Sequence, residues 1–223
     1  MAITKVCLSW SSGKDSAFAL QELRTRPDVE VCALLTTVTA VYERVSMHGV
    51  RRALLRAQAQ ACGLELVEVE IPAPCPNEVY EARMGEALAA LQSRGVDAIA
   101  FGDLFLGDVR AYRERMLEPT PFEPLFPLWG RPTDALAREM MAAGLEAVLT
   151  CVDPRQIPAE LCGRSWDPTL LEALPKGADP CGENGEFHTF VHAAPVFEEP
   201  IAITAGEVVE REGFVFADVL PKA

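Results

Sequence analysis

A polar segment near the amino terminus combines the residue types that bind phosphate. Residues 9–16 read Ser-Trp-Ser-Ser-Gly-Lys-Asp-Ser, and apolar runs over 6–8 and 17–20 flank them. This order predicts a buried strand, a turn of small residues and the start of a helix. The first N–H groups of a helix lack partners and carry partial positive charge, and small residues let an anion approach the backbone. We therefore expect this segment to hold a chain of phosphates.

The side chains of residues 9–16 sharpen that expectation. Lys14 adds a full positive charge, and the serines add hydroxyl donors. A carboxylate would repel phosphate, so Asp15 is interpreted as a magnesium ligand or as a helix cap. An ordinary strand-to-helix turn is the alternative, although such a turn has no structural need for adjacent Lys and Asp residues. The residues expected to contact the phosphates or their nucleotide are Ser9, Ser11, Ser12, Gly13, Lys14, Asp15 and Ser16.

A second polar segment lies near the carboxyl terminus. Residues 181–191 read Cys-Gly-Glu-Asn-Gly-Glu-Phe-His-Thr-Phe-Val. Glu183 and Glu186 bracket a turn that two glycines favour, and His188 follows. Neighbouring carboxylates can hold magnesium, orient an amine or ammonia, or act as a base. A solvated turn with incidental acids is the alternative interpretation.

The elements that must position these segments alternate between strand and helix. This alternation predicts an α/β, Rossmann-like fold with a mostly parallel sheet and helices on both faces. Such sheets bind ligands beyond the carboxyl ends of their strands, which adds Thr36, Gly102 and Asp103 to the nucleotide site and brings 150–153 to the same edge. Strands are predicted over 4–9, 30–36, 64–71, 96–101 and 145–152. Helices are predicted over 15–25, 49–62, 77–94 and 132–143.

The pattern changes after about residue 153, where prolines become frequent. Short strands are expected in 190–191, 194–197, 201–204, 208–209 and 214–216, with a hairpin turn at Glu212-Gly213. We therefore expect a nucleotide-binding domain over 1–153. A smaller substrate-side region with antiparallel strands is expected over 154–223.

Composition excludes several classes of function. The chain has 223 residues and a formal net charge of −13, which argues against tight non-specific binding of nucleic acid. Its cysteines number 7, an odd count without a Cys-x-x-Cys pair, as expected for reduced core cysteines in a cytoplasmic protein. No signal-peptide pattern or membrane-spanning apolar stretch is found in the sequence. No nucleic-acid partner and no membrane partner are therefore expected.

Both polar segments resemble motifs of one enzyme family. Residues 9–16 fit neither the Walker pattern nor Gly-x-Gly-x-x-Gly, but they resemble the Ser-Gly-Gly-x-Asp-Ser loop of ATP pyrophosphatases, with Ser12 at the first Gly. Residues 181–190 resemble the loop Cys-Gly-Glu-Gly-Gly-Glu-Phe-Glu-Thr-Phe of the diphthine–ammonia ligase type. Here Asn184 replaces a Gly and His188 replaces a Glu. Further similar segments are 45–50, 101–104 and 127–130.

This resemblance implies an adenine nucleotide alpha hydrolase-like fold and a specific reaction. ATP is cleaved between its α and β phosphates, a substrate carboxylate becomes an acyl adenylate, and ammonia displaces AMP. Lys14 and Asp15 would act on the nucleotide with Mg²⁺, while Glu183 and Glu186 would position ammonia or take its proton. The implied acceptor is elongation factor 2 carrying diphthine, provided that the source organism makes diphthamide. The segments Met-His-Gly-Val and Arg-Ala-Tyr-Arg are closer to bacterial-type relatives, which would have another substrate.

Further residues are assigned to the nucleotide or to the acceptor. His48 opens a predicted helix and is expected to contact ATP, with a polar first-turn residue of no special role as the alternative. An anionic acceptor is expected to meet Arg110 and Arg113, unless they only pair with nearby glutamates. The acceptor side is also expected to include Asn184, Gly185 and His188. A tRNA-modifying enzyme with the same phosphate loop and a non-catalytic adenine nucleotide binder are the other functions considered, and a homodimer is expected.

Overall fold

The first sheet of the computed structural model, which describes residues 2–222, has six strands in the order β3-β2-β1-β5-β6, with β4 also paired to β2. Every pairing is parallel except that of β3 with β2. The expected parallel sheet is therefore confirmed. The strands are β1 (Thr4–Ser9), β2 (Val29–Thr39), β3 (Arg44–Val45), β4 (Glu65–Ile71), β5 (Ala98–Ala100) and β6 (Glu123–Leu125).

Helices cover both faces of this sheet, and their ends follow local signals. The predicted stops after three helices are confirmed, because Gly63, Gly95 and Gly144 all have positive φ, which ends a helix at little steric cost. The helices are α1 (Lys14–Arg24), α2 (Arg52–Ala61), α3 (Asn77–Ser93), α4 (Gly107–Leu117), α5 (Thr133–Ala142) and α6 (Pro168–Ala173).

Four antiparallel strands form the second sheet, in the order β8-β7-β10-β9. They are β7 (Glu146–Val152), β8 (Phe187–Ala193), β9 (Ile203–Arg211) and β10 (Phe214–Pro221). The predicted strand over 145–152 therefore forms, but it does not belong to the parallel sheet. A buried apolar run is suited to the centre of either sheet, and its partners here lie far along the chain. The expected division at residue 153 stays a prediction.

Two smaller expectations for the carboxyl-terminal region have opposite outcomes. The hairpin turn is confirmed, since Glu212 and Gly213 both have positive φ, as the tight turns of hairpins require. The strand expected over 194–197 is wrong. Pro195 cannot donate to a strand ladder, and the Phe197 N–H bonds the Ala194 carbonyl at 3.0 Å to close a turn instead.

The sequence pattern misses helices α4 and α6 and strands β3 and β6. In α4 only Leu117 is buried, so the helix has no apolar face to read. Helix α6 did carry a signal: Asp167 caps it by accepting the Leu170 N–H at 2.8 Å, and Pro168 takes its first position. Within residues 2–222 none of the helices combines the length and apolar character that crossing a membrane requires.

One large core joins the two sheets. Its buried members include Leu8 and Leu34 of the first sheet together with Leu149 and Phe190 of the second. A smaller core lies beneath α3 and includes Ile99. The second sheet shares the larger core with α1. Strand β8 lies against the beginning of that helix, where the Lys14 N–H donates to the Thr189 Oγ1.

Candidate active site

The turn between β1 and α1 has the geometry expected of a phosphate loop. Ser12 lies in the left-handed region with φ of 71°, and Gly13 precedes the helix. The end of β5 approaches this turn closely, because a Cβ atom at Gly102 would lie 3.0 Å from the Ser16 nitrogen. Glycine at position 102 therefore lets the end of the strand pack directly on the start of α1.

Lys14 joins the two polar segments. Its backbone N–H donates to the Thr189 Oγ1 at 3.1 Å, and its buried Nζ donates to the Asp15 Oδ2 at 2.8 Å and to the Cys181 carbonyl. Burial is the largest single effect and would lower the pKa of Lys14, but Asp15, Cys181 and Glu183 together outweigh it and raise that pKa. The phosphate loop thus carries its positive charge toward the second loop, residues 181–189.

Asp15 is the candidate magnesium ligand of the site. Burial raises the pKa of Asp15, and the neighbouring Lys14 opposes only part of that rise. Its Oδ1 is buried without a hydrogen-bond partner among the described residues. Residues 2–222 contain no group of three or more His, Cys, Asp and Glu side chains placed to hold a metal. Magnesium that accompanies a nucleotide needs only one or two protein carboxylates, so the free Asp15 oxygen fits it.

The two glutamates of the second loop have different surroundings. Glu183 accepts the Leu104 N–H at 2.7 Å, and burial raises its pKa to about 7 despite that hydrogen bond. Glu186 is only 2% exposed, and its Oε1 accepts the Asp179 N–H at 2.8 Å and the Asn184 amide at 3.0 Å. Glu183 lines the cleft, whereas Glu186 is buried behind the loop and stabilises it through these hydrogen bonds.

Two histidines form a neutral wall of the cleft. The rings of His48 and His188 lie 4.3 Å apart between centroids. Burial lowers the pKa of His188 to about 4, and the charge of Lys14 acts in the same direction. Burial and the neighbouring His188 hold the pKa of His48 well below its usual value. Both imidazoles are therefore uncharged at neutral pH.

The two arginines expected at the acceptor differ in position. Arg113 lies over the Phe101 ring at 5.1 Å and reaches within 3.5 Å of the Asp103 carboxylate, in the cleft. Burial raises the pKa of Asp103, and Arg113 opposes that rise. Arg110 instead pairs with Glu114 at 2.8 Å and lies over two aromatic rings outside the cleft.

The structure brings most of the predicted site residues into one cleft of about 200 Å³. Those that line it are Ser9, Ser11, Gly13, Lys14, Asp15, Ser16, His48, Gly102, Asp103, Arg113, Glu183, Gly185 and His188. Those that do not are Ser12, Thr36, Arg110, Asn184 and Glu186. The Thr36 hydroxyl bonds the Trp10 carbonyl at 2.8 Å, within the core. A larger open depression of about 460 Å³ beside α4 contains none of the predicted residues.

Five residues of the cleft were not predicted: Phe101, Cys181, Gly182, Phe187 and Thr189. Four of them lie in the second loop, where the sequence analysis assigned roles only to Glu183, Asn184, Gly185, Glu186 and His188. Gly182 illustrates the missing information, since a Cβ atom there would lie 2.8 Å from the Phe187 carbonyl oxygen. The available signal was adjacency in the sequence, since Gly182 and Phe187 directly flank the Glu183–Glu186 turn and Phe101 precedes Gly102.

Comparisons with known proteins point to one family. Models of the diphthamide synthase N-terminal domain and C-terminal domain match residues 4–120 and 132–219. Diphthine–ammonia ligase of Rattus norvegicus is 26% identical over 234 aligned positions, which cover 94% of the chain and 86% of the relative. The human enzyme of the same name is 27% identical over 192 positions, covering 80% of the chain and 71% of the relative. The one from Danio rerio is 33% identical over 129 positions, covering 56% and 51%.

Proposed function

This chain belongs to the diphthamide synthase family, and from that premise we propose that it is an ATP-dependent C–N ligase of the diphthine–ammonia ligase type. A substrate carboxylate attacks the α phosphate of ATP, pyrophosphate leaves, and ammonia displaces AMP from the acyl adenylate. The observation that carries the proposal is the meeting of two loops at Lys14, whose Nζ bonds both Asp15 and the Cys181 carbonyl. That contact brings a cationic helix start and the Glu183 carboxyl into one cleft.

The nucleotide would bind with its outer phosphates on the start of α1. The hydroxyls of Ser11 and Ser16 lie 3.2 Å apart there, and both line the cleft. An ammonium group has three N–H donors, so Lys14 keeps one donor beyond the two hydrogen bonds that it makes. These donors stabilise charge that develops on the departing pyrophosphate. Bound Mg²⁺ would offset phosphate charge, and the free Oδ1 of Asp15 is the oxygen fitted to hold it.

Ammonia would enter on the side of Glu183. A carboxyl group with a pKa of about 7 is partly ionised at neutral pH, which suits a group that accepts a proton and releases it again. Its Oε1 is fixed by the Leu104 N–H at 2.7 Å, so the carboxylate has a defined direction. The catalytic role expected of Glu186 stays a prediction. Its Oε1 braces the loop, whereas its Oε2 is buried without a hydrogen-bond partner among the described residues.

The acceptor in this proposal is diphthine, supported by the names of the relatives, and elongation factor 2 is the protein that would carry it. Arg113, Gly185 and His188 form the wall that it would meet. A ligase for another carboxylate is the second candidate. It is favoured by the neutral His188, which stands where the family motif has a carboxylate. A cytoplasmic location is part of the proposal and is supported by seven free cysteines.

Product analysis tests the reaction directly. Purified protein is incubated with ATP, Mg²⁺, an ammonium salt and diphthine-bearing elongation factor 2, and phosphorus NMR identifies the products. We expect AMP and pyrophosphate in equal amounts, together with amidated acceptor. ADP as the nucleotide product would contradict the proposal. AMP formation with a different carboxylate, and none with diphthine, would favour the second candidate.

A further inference from the structure

A wholly buried glutamine connects three elements behind the phosphate loop. Gln58 of α2 is 0% exposed, and the partners of its side chain are uncharged groups. Its Oε1 accepts the Trp10 Nε1–H at 2.9 Å, while its Nε2 donates to the Ser12 carbonyl at 3.0 Å and to the Val191 carbonyl at 2.7 Å. The side chain thus bonds the end of β1, the phosphate loop and strand β8 at once.

The bond to Ser12 controls the direction of the next N–H group. The Ser12 carbonyl also accepts the Val191 N–H at 3.0 Å, so two donors hold it on the side of β8. In a planar trans peptide the carbonyl and the following N–H point in opposite directions. Holding the Ser12 oxygen therefore turns the Gly13 N–H away from β8. Within residues 2–222, that N–H makes one long hydrogen bond and no other, at 3.3 Å to the Ser11 Oγ, and Gly13 lines the cleft.

Ser12 needs such external support. Its φ of 71° is uncommon for a residue with a Cβ atom, and its buried Oγ has no hydrogen-bond partner among the described residues. Neither its own side chain nor its backbone preference holds this peptide in place. The donors on its carbonyl, one of them from Gln58, are what fix the conformation.

We propose that Gln58 is a positioning residue for the nucleotide: by holding the Ser12 carbonyl, it aims the Gly13 N–H at the outer phosphates of ATP. This inference rests on the proposed function, because it requires a polyphosphate at the start of α1. Gln58 lies behind the loop and does not line the cleft. Its effect should therefore depend on the phosphates and not on the adenosine part of the ligand.

The test compares two ligands on matched variants. Gln58→Met removes the amide donors while keeping an unbranched side chain, and Gln60→Met is the control, since Gln60 is exposed on the same helix. Calorimetry measures binding of α,β-methylene ATP and of AMP. A hydrogen bond to a charged group accounts for about a tenfold to hundredfold change in affinity. We expect Gln58→Met to weaken the ATP analogue by that factor and to leave AMP binding and the control unchanged.

Further variants keep the inference falsifiable if Gln58→Met does not fold. Gln58→Glu has the same shape but no donors when ionised, and it regains one donor when protonated. We expect its loss of analogue affinity, relative to the unmodified chain, to be smaller at pH 5 than at pH 8. Trp10→Phe removes the bond to Oε1 together with part of a buried ring, and it should give a smaller loss of analogue affinity in the same direction.

The outcomes separate this inference from the proposed function. Equal weakening of AMP and the ATP analogue, or no weakening of either, would overturn the role of Gln58 and leave the ligase proposal standing. Failure of the unmodified chain to bind either ligand would overturn both. Selective weakening of the analogue supports the inference.

Discussion

The two loops of the cleft contribute different kinds of chemistry. The phosphate loop, 9–16, supplies backbone donors, hydroxyls and the Lys14–Asp15 ion pair, whose arrangement follows from a strand running straight into a helix. The second loop, 181–189, supplies groups whose charge depends on burial, including a glutamate with a pKa of about 7 and a histidine with a pKa of about 4. Because Glu183 has a pKa of about 7, we expect acceptor chemistry to depend more strongly on pH near neutrality than nucleotide binding does.

Among the changes that test this difference between the loops, removal of the Lys14 charge should have the largest effect on the rate. We expect Lys14→Met to lower the rate of AMP formation by about 10²–10³-fold, the usual effect of deleting one fixed donor that stabilises transition-state charge. Steady-state assays with ATP measure it. Lys5→Met is the control, because Lys5 is exposed on β1 and lies outside the cleft. Equal rates for both variants would show that the phosphate loop does not act through Lys14.

Replacement of Glu183 tests the second loop. Glu183→Gln should lower the rate of amide formation by about 10²-fold, a typical contribution of a positioned general base. At a constant concentration of free ammonia, the rate of the unmodified enzyme should rise with pH through about 7, and that rise should disappear in the variant. Glu172→Gln, an exposed change on α6, is the control. A pH profile of Glu183→Gln that matches the unmodified enzyme would assign the base to another residue.

Stability should depend on pH in opposite ways for the acid and the histidines. Glu183 has a raised pKa, so its contribution is full below about 4.5 and is lost as pH rises through about 7. His188 has a lowered pKa, so stability is lost as pH falls from 6.5 toward about 4. Each pKa differs from its usual value by about 2.5, and a difference of one corresponds to ~1.4 kcal/mol, so the upper limit is about 3.5 kcal/mol for each group. Solvent screening at these partly exposed side chains lowers the expected effect to about 1–3 kcal/mol.

Denaturant unfolding between pH 4 and pH 8 measures both contributions. Glu183→Gln should reduce the loss of unfolding free energy as pH rises, and His188→Gln should reduce the loss as pH falls. If both substitutions changed the pH dependence of the unfolding free energy in the same direction, the opposite contributions of Glu183 and His188 would be contradicted.

Ser12→Gly should give the smallest effect. Glycine removes the strain of φ at 71° and the buried, unpartnered hydroxyl, so we expect a gain of about 0.5–1 kcal/mol in unfolding free energy. Ser12→Ala is the matched variant, because it removes the hydroxyl but keeps the Cβ atom in the left-handed region. Thermal unfolding of both variants measures the difference. A gain for alanine equal to that for glycine would show that the hydroxyl, and not the backbone, carries the cost.

The sequence predicts the phosphate loop well because its structure is local. Eight consecutive residues between two apolar runs specify strand, turn and helix start without reference to the rest of the chain. The parallel sheet follows from the same kind of local pattern, repeated. Composition likewise identified the second loop, and its glycines indicated a tight turn.

What the sequence could not predict depends on contacts between distant residues. Glu183 and Glu186 look alike in the sequence, but Glu183 lines the cleft and Glu186 is buried, and the N–H groups that reach them come from Leu104 and Asp179. The apolar sequence of β7 predicts a buried strand but does not indicate which of the two sheets the strand joins. Gln58 looks like one polar residue of an amphipathic helix until Ser12 and Val191 are placed beside it.

The most direct measurement is a crystal structure with α,β-methylene ATP and Mg²⁺. We expect the β and γ phosphates at the start of α1, within hydrogen-bond distance of the Gly13 N–H and of Lys14, and the α phosphate facing the second loop near Glu183. A nucleotide bound outside this cleft, or bound with its outer phosphates away from residues 9–16, would contradict the shared site on which the proposed reaction depends.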